Sequence, residues 1–177
     1  VMYTSGSTGK PKGVAITHRN LAAFLFWAGK QFSREDLNEV LASTSICFDL
    51  SVFEIYLPVL SGGKVVVSES LLSRASHLLT SRVSLINTVP SVLAEFLREN
   101  RLGQETRVVN LAGESLSREL VDCIRESPYD VRVINLYGPT ECTTYSTFVS
   151  VEGNTATSPP IGRPLSNTEV YVLDDDL

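Results

Sequence analysis

The 177-residue chain reads as an α/β protein built on a mostly parallel sheet with helices on both faces. Two patterns carry that reading. Apolar runs of strand length alternate with stretches whose apolar residues recur at helical spacing, the order that parallel βαβ units need. The polar clusters fall just after predicted strands, where parallel sheets gather ligands because every strand presents its carboxyl end on the same side.

The predicted elements follow in order. Val1-Met2-Tyr3 and Val14-Ala15-Ile16 read as strands on either side of a loop rich in glycine and hydroxyl groups. Thr17 is a candidate cap for a helix from His18 to Gln31, with Leu21, Phe24, Leu25 and Ala28 on one face. A strand is predicted from Val40 to Ile46. The helix predicted after it, Asp49 to Leu60, aligns Val52, Phe53, Tyr56, Leu57 and Leu60, and Gly62-Gly63 ends it. Lys64 to Ser68 is a predicted strand and Leu71 to Thr80 a predicted helix. Val83 to Thr88 is the next predicted strand, leading through Pro90 into a helix with Val92, Leu93, Phe96 and Leu97 inward. A strand over Arg107 to Ala112, a helix over Leu116 to Arg125 and a strand over Val131 to Tyr137 are then predicted. Thr144 to Val151 and Glu169 to Leu173 are the last expected strands. No repeat, low-complexity tract or linker interrupts the series.

Bulk composition excludes several classes. A hydrophobic content of 43% with 20% charged residues fits a soluble globular core. The net charge of −5 gives no general affinity for nucleic acid or an anionic membrane, so anion binding has to be local, around Lys10, Lys12 and Arg19. No apolar stretch is long enough to span a membrane, and no signal peptide precedes the first strand. Cys47, Cys123 and Cys142 are odd in number and widely spaced, which predicts free thiols in a reducing compartment, the cytoplasm. His18 and His77 are too few for a transition-metal site.

The loop Tyr3-Thr4-Ser5-Gly6-Ser7-Thr8-Gly9-Lys10-Pro11-Lys12-Gly13 is the most informative segment. Glycine leaves no Cβ in the way and permits positive φ, so backbone N–H groups, hydroxyls and ammonium groups can close on a polyphosphate. A Walker A loop requires Lys followed by Ser or Thr, and here Pro11 follows Lys10, so that reading fails. A flexible linker is the other alternative, and the flanking strands argue against it.

Four motifs in order resemble the adenylate-forming enzymes, and more narrowly the amino-acid adenylation (AMP-binding) domains of nonribosomal peptide synthetases. They are the opening loop, Phe48-Asp49-Leu50-Ser51-Val52-Phe53-Glu54, Asn135-Leu136-Tyr137-Gly138-Pro139-Thr140-Glu141, and Pro160-Ile161-Gly162-Arg163-Pro164. Together they cover nearly the whole chain. The family's later Tyr-Arg-Thr-Gly-Asp motif is absent, as are its lysine-bearing C-terminal subdomain, the carrier domain and the segment upstream of the loop. The expectation is a partial adenylation domain over residues 1–177, a piece of the large N-terminal subdomain, inactive by itself.

The resemblance implies ATP with Mg²⁺, an amino acid activated to its adenylate with release of pyrophosphate, and transfer to phosphopantetheine on a carrier domain. Carrier and condensation domains of the same synthetase are the implied partners. Thr4, Ser5, Gly6, Ser7, Thr8, Gly9 and Lys10 would hold the β- and γ-phosphates; Lys12 either assists or is solvated. Tyr137 would stack on adenine, with Asn135 near its exocyclic amine and Gly113 letting the base approach backbone. Thr140 would touch the α-phosphate and Glu141 would coordinate Mg²⁺, a hard ion suited to carboxylate. Asp49 would meet the substrate ammonium; its plainer reading is a helix N-cap. Glu54 reads as a helix residue completing a capping box with Ser51, Glu114 as structural, and His18 as a cap or packing residue.

Family offsets place the substrate side chain among Asp49, Leu50, Phe53, Asn87, Asn110, Ala112, Leu136, Thr144 and Tyr145, with Thr88 as the alternative to Asn87. Asp49 alone is charged, and Phe53, Leu136 and Tyr145 are bulky. A small neutral amino acid follows, and the set resembles that of alanine-activating domains such as one in a microcystin-type synthetase. Glycine or serine could enter, since one methylene is worth only ~1–3 kcal/mol. An acyl- or aryl-CoA ligase of the same superfamily, which needs no carboxylate at Asp49, and a nucleotide-binding module without activity are the alternatives.

Overall fold

The computed structural model describes residues 1–5, 9–73, 82–99, 102–153 and 157–174. Strands β1 (Met2–Ser5) and β2 (Pro11–Val14) pair antiparallel, Met2 opposite Val14 and Ser5 opposite Pro11, as a hairpin separate from the main sheet. The glycine-rich loop joins them; Gly6, Ser7 and Thr8 lie outside the described residues. Helix α1 (His18–Gln31) starts at Thr17, whose hydroxyl accepts from the Asn20 amide at 3.2 Å while the Asn20 side chain accepts from the Thr17 amide at 3.0 Å. The cap is thus Thr17 with Asn20, and His18 is exposed and has no capping role.

The main sheet has seven strands in the order β4-β3-β5-β6-β7-β8-β9. Strands β3 (Glu39–Ala42), β4 (Lys64–Val67), β5 (Leu85–Thr88), β6 (Val108–Leu111) and β7 (Arg132–Tyr137) run parallel. Strands β8 (Thr147–Ser150) and β9 (Arg163–Pro164) extend the edge antiparallel. The connections are α2 (Leu50–Leu60) between β3 and β4, α3 (Pro90–Glu99) between β5 and β6, and α4 (Arg118–Arg125) between β6 and β7.

Alternation along each strand divides the core. Val40, Leu85, Val108 and Ile134 pack against Phe24, Trp27 and Ala28 of α1 and Phe53 and Leu57 of α2. Leu41, Ile86, Val109 and Val133 face the other way, toward Leu93 and Phe96 of α3 and Leu120, Val121 and Ile124 of α4. Helices therefore cover both faces, as parallel strands require. Each fully buried apolar side chain of this kind contributes about 1.5–3 kcal/mol.

Several expectations change. Strand β3 stops at Ala42, well short of Ile46, because the amides of Ser43 and Thr44 are taken by the Glu54 carboxylate. Strand β8 begins at Thr147 because Thr143 and Thr144 hold positive φ, 62° and 80°, which no strand tolerates. The strand expected at Glu169–Leu173 is absent: this segment is exposed, with Val172 at 99%, and β9 takes the sheet edge in its place. Leu71–Ser73 form a turn, and the rest of the helix expected there lies outside the described residues. Cys47, Cys123 and Cys142 are exposed free thiols. Among the described residues no helix is long and apolar enough to cross a membrane.

The chain folds back on itself just after β7. A Cβ at Gly138 would lie 2.5 Å from the Ser146 amide nitrogen, backbone that cannot yield, and the same Ser146 amide donates to the Tyr137 carbonyl at 2.7 Å. Gly29, inside α1, has open space around it. We expect Gly138→Ala to cost ~1–3 kcal/mol through overpacking, and Gly29→Ala to gain up to ~1 kcal/mol from helix propensity. Thermal melting of the protein checks both; an unchanged midpoint for Gly138→Ala would contradict the close approach.

Candidate functional site

The carboxyl ends of β3, β5, β6 and β7 lie along one side of the sheet because these strands are parallel. The loops leaving them carry Asp49, Val89-Pro90, Ala112-Gly113 and Gly138 to Glu141. The sheet thus gathers at one end clusters that are far apart in sequence.

Asp49 sits immediately before α2 with φ −65°, and its side chain makes no cap bond. Asp49 therefore occupies the N-cap position, as the plainer reading has it, without capping the helix through its side chain. Its carboxylate instead accepts from the Thr140 hydroxyl at 2.5 Å, and its carbonyl accepts from the Thr144 hydroxyl at 3.1 Å. Burial pushes the Asp49 carboxyl above its usual range, the Thr140 bond and the Leu50 backbone amide pull it back in part, and the nearby Glu141 charge adds to the rise.

Glu141 lies in a single 3-10 turn, Thr140–Cys142, that follows β7. Lys12 of the hairpin reaches it, Nζ to Oε1 at 2.7 Å, and this contact holds the Glu141 carboxyl below its usual range. The hairpin and the end of the sheet are therefore joined at a carboxylate that could hold a hard cation. Both partners are substantially exposed, so the pair itself adds little stability. Lys10 is exposed on the same hairpin loop.

A cavity of about 360 Å³ opens beside this turn, lined by Gly113, Glu114, Asn135, Tyr137, Gly138 and Ile161 among others. Tyr137 is 52% exposed there, at the mouth of the cavity rather than in the core. Gly113 holds φ +82°, a conformation that favours glycine. Asn135 is buried, and its Nδ2 donates to the Pro160 carbonyl at 2.8 Å, which ties the fourth motif to the third. Glu114 accepts from the Ser91 amide at 2.9 Å and the Ser91 hydroxyl at 2.8 Å, pinning the start of α3, a structural role as expected.

The nine side-chain positions Asp49, Leu50, Phe53, Asn87, Asn110, Ala112, Leu136, Thr144 and Tyr145 are all buried. Asn87 and Asn110 are register partners on neighbouring strands and share a sheet face with Val108 and Leu85. Tyr145 packs between Phe24 and Phe53, at ring-centroid distances of 5.7 and 6.0 Å, and its hydroxyl donates to Asn87 Oδ1 at 2.7 Å. Burial raises the Tyr145 phenol well above its ordinary value, with the Glu54 charge adding to the rise. Thr88, the neighbour of Asn87, faces the other way into a separate cavity of about 220 Å³ with Phe48, Val89 and Val92. Asn87 and Thr88 thus lie on opposite faces of the sheet. Leu50 borders that second cavity as well as the α1–α2 core.

Two features were missed in the sequence. Glu54 is fully buried, and its expected capping box with Ser51 does not form. Its carboxylate accepts from the Ser43 and Thr44 amides at 3.0 and 3.1 Å, the Thr44 hydroxyl at 2.5 Å and Asn87 Nδ2 at 3.2 Å. Its place within the apolar run Val52-Phe53-Glu54-Ile55 was the available signal. Asn110 was expected in the pocket; that both polar atoms of its amide lack a partner among the described residues was not foreseen. Such a group costs ~1–3 kcal/mol unless something else meets it.

A model of the family described as AMP-binding enzyme matches residues 1–177. The chain belongs to the AMP-binding enzyme family. The chain is 34% identical over 182 residues to a dimodular nonribosomal peptide synthase from Bacillus subtilis, covering 100% of this chain and 8% of that protein. It is 52% identical over 177 residues to a subunit of linear gramicidin synthase from Brevibacillus parabrevis, covering 100% of this chain and 3% of that protein. Among solved structures, the nonribosomal peptide synthetase FmoA3 in its AMPPNP-bound form matches with a TM-score of 0.87 at 28% identity, over 99% of this chain and 20% of that one. O-succinylbenzoate coenzyme A synthetase (MenE) of Bacillus subtilis, in complex with ATP and magnesium ion, matches with a TM-score of 0.84 at 27% identity, over 98% and 37%. The chain thus spans a small part of each of these proteins.

The raised carboxyls of this AMP-binding enzyme carry a pH signature. Above the ordinary range of Asp49 and Glu54, and up to their raised native values, the folded state binds more protons than the unfolded state. Stability contributed by these groups is therefore present at low pH and is lost as pH rises through that window. We expect Glu54→Gln, which cannot ionise, to flatten this dependence, measured as the melting-temperature difference from the parent protein between acid and neutral pH. A difference that stays constant across the window would show that Glu54 is not raised.

Proposed function

We propose that this chain is the ATP- and amino-acid-binding part of an amino-acid adenylation domain. The parent protein would join ATP and an amino acid into an aminoacyl-adenylate with release of pyrophosphate, then load phosphopantetheine on a carrier domain next to a condensation domain. The observation that carries this reading is the 2.5 Å bond between Asp49 and Thr140, which joins a buried carboxylate to the turn beside the Tyr137 cavity. A carboxylate shielded from water, whose one side-chain partner among the described residues is that hydroxyl, suits a substrate ammonium.

The chain's own residues divide the work. Asp49 would anchor the ammonium and thereby aim the substrate carboxylate at the α-phosphorus, while Thr140 would touch the α-phosphate. Tyr137 and Gly113 would hold adenine in the 360 Å³ cavity, with Asn135 below it. The loop residues Thr4 to Lys10 would grip the β- and γ-phosphates and the leaving pyrophosphate. The exposed Glu141 carboxylate fits a Mg²⁺ ion, which would neutralise phosphate charge when bound, and Lys12 would give up its present contact there. Such catalysis is mainly positioning and preorganised charge.

Phe53, Leu136 and Tyr145 support a small side chain, and the lack of a second pocket charge supports a neutral one; alanine is the substrate proposed. The unpartnered Asn110 amide makes serine the competitor to compare. The likeness to a coenzyme A synthetase keeps an acyl- or aryl-CoA ligase as the second reading. A ligase of that kind has no ammonium for Asp49 to meet.

Amino-acid-dependent ATP–pyrophosphate exchange by the full-length protein tests this. We expect alanine to be preferred over glycine and serine; preference for a large or charged amino acid would overturn the pocket. Asp49→Ala should raise the amino-acid KM by about 100-fold or more, since breaking a buried ion pair costs ~3–5 kcal/mol, and leave the ATP KM nearly unchanged. Equal losses in both would remove Asp49 from the substrate site. Glu141→Gln should raise the Mg²⁺ concentration for half-maximal exchange by roughly tenfold; an unchanged Mg²⁺ titration would remove Glu141 as a ligand.

A further inference from the structure

Glu54 is a fully buried carboxylate that the proposed mechanism does not use. Its two oxygens have different partners. Oε2 accepts from the backbone amides of Ser43 and Thr44, which cannot turn round. Oε1 accepts from the Thr44 hydroxyl and from Asn87 Nδ2. Asn87 has no exposure, so its amide faces the way its partners dictate: Nδ2 to Glu54 and Oδ1 to Tyr145. The phenol can then only donate to Asn87, and burial keeps its proton in place.

We propose that Glu54 is a specificity-positioning residue: by fixing the Asn87 amide it turns the Tyr145 proton into the protein wall and leaves no free phenolic donor for the substrate side chain. This rests on the reading of Asn87 and Tyr145 as pocket residues. Glu54 also holds the Ser43–Thr44 end of the loop that carries Asp49, so the ammonium anchor and the pocket wall share one support. The chain Thr44–Glu54–Asn87–Tyr145 satisfies each member, and a change of sense at Glu54 has to propagate along it.

Glu54→Gln keeps the volume and reverses one end of the network. The Ser43 and Thr44 amides retain the glutamine oxygen, so its NH₂ faces Asn87 Nδ2. Two donors cannot meet, and the Asn87 amide turns over. Its NH₂ then donates to the Tyr145 oxygen, and the phenolic proton is released toward the substrate. A side chain that can accept a hydrogen bond gains; a methyl does not.

The test is ATP–pyrophosphate exchange by the full-length protein with serine and alanine, together with Raman spectra of the tyrosine ring, taken as a difference against Tyr145→Phe. For Glu54→Gln we expect the serine-to-alanine ratio of kcat/KM to rise about tenfold, the ATP KM to stay within about twofold, and the Tyr145 signal to pass from donor to acceptor character. The double variant E54Q/N87D re-matches every donor, because the new carboxylate accepts from both the glutamine NH₂ and the phenol. It should return the Raman signature to its parental donor character. A ratio and a phenol signal unchanged in Glu54→Gln, with activity toward both amino acids falling equally, would overturn the proposal and leave Glu54 a stabilising residue only. If Glu54→Gln does not fold, the Raman signature of the double variant decides: a donor phenol at Tyr145 supports the pairing, and an acceptor phenol overturns it. If the parent shows no amino-acid-dependent exchange at all, the adenylation reading falls, while the Raman comparison still decides whether Glu54 sets the phenol.

Discussion

A carboxylate without access to water must be met by donors, and at Glu54 that requirement shapes the whole end of the sheet. The donors come from Ser43 and Thr44, just past the end of β3, and from Asn87 near the end of β5. Each bond has a structural consequence. Strand β3 ends early because its next amides are taken, the loop to Asp49 starts from a fixed point, and Asn87 is held in one sense. Remove the carboxylate and these donors are left buried and unmet, which costs more than the bonds contribute.

The opposite wall is set by backbone strain. Thr143 and Thr144 hold positive φ, a conformation L-residues with branched side chains avoid. The strain is held by the Thr144 hydroxyl on the Asp49 carbonyl and by the return of the chain over Gly138. The result is a tight reversal that swings Tyr145 inward while leaving Glu141 at the surface, two positions that ordinary strand continuation from β7 would carry apart. Strained backbone of this kind concentrates at sites where geometry matters more than stability.

Membership of the AMP-binding enzyme family fits this arrangement, and the fold is shared with enzymes that act on different acids. In the proposed reading, the hairpin and the Tyr137 cavity would form the nucleotide half of the site. What would separate one acid from another in that reading is the wall formed by Phe53, Asn87, Asn110, Leu136 and Tyr145, and the charge at Asp49. Asn87, Asn110 and Leu136 come from the parallel strands β5, β6 and β7, Phe53 from α2 and Tyr145 from the segment before β8.

Much of the architecture was legible in the chain. Strand–helix alternation is a local, periodic signal, and it correctly implied a mostly parallel sheet with helices on both faces. The motifs at strand ends were legible too, because their residue types are unusual in sequence. The Glu169–Leu173 strand failed because an apolar alternating run needs a partner edge, and β9 had taken it. Asp49 was visible as a carboxylate but not as the acceptor of a hydroxyl 91 positions away. Glu54 was misread for the same reason: its donors lie at Ser43–Thr44 and at Asn87, 10 to 11 and 33 positions away, and no local pattern encodes that meeting. The sequence by itself therefore determined the family, the layer order and the chemistry available. Only the tertiary structure decided that Asp49 meets the Thr140 hydroxyl while Glu54 is enclosed by amides and Asn87, because burial and hydrogen-bond partners are properties of the packed chain.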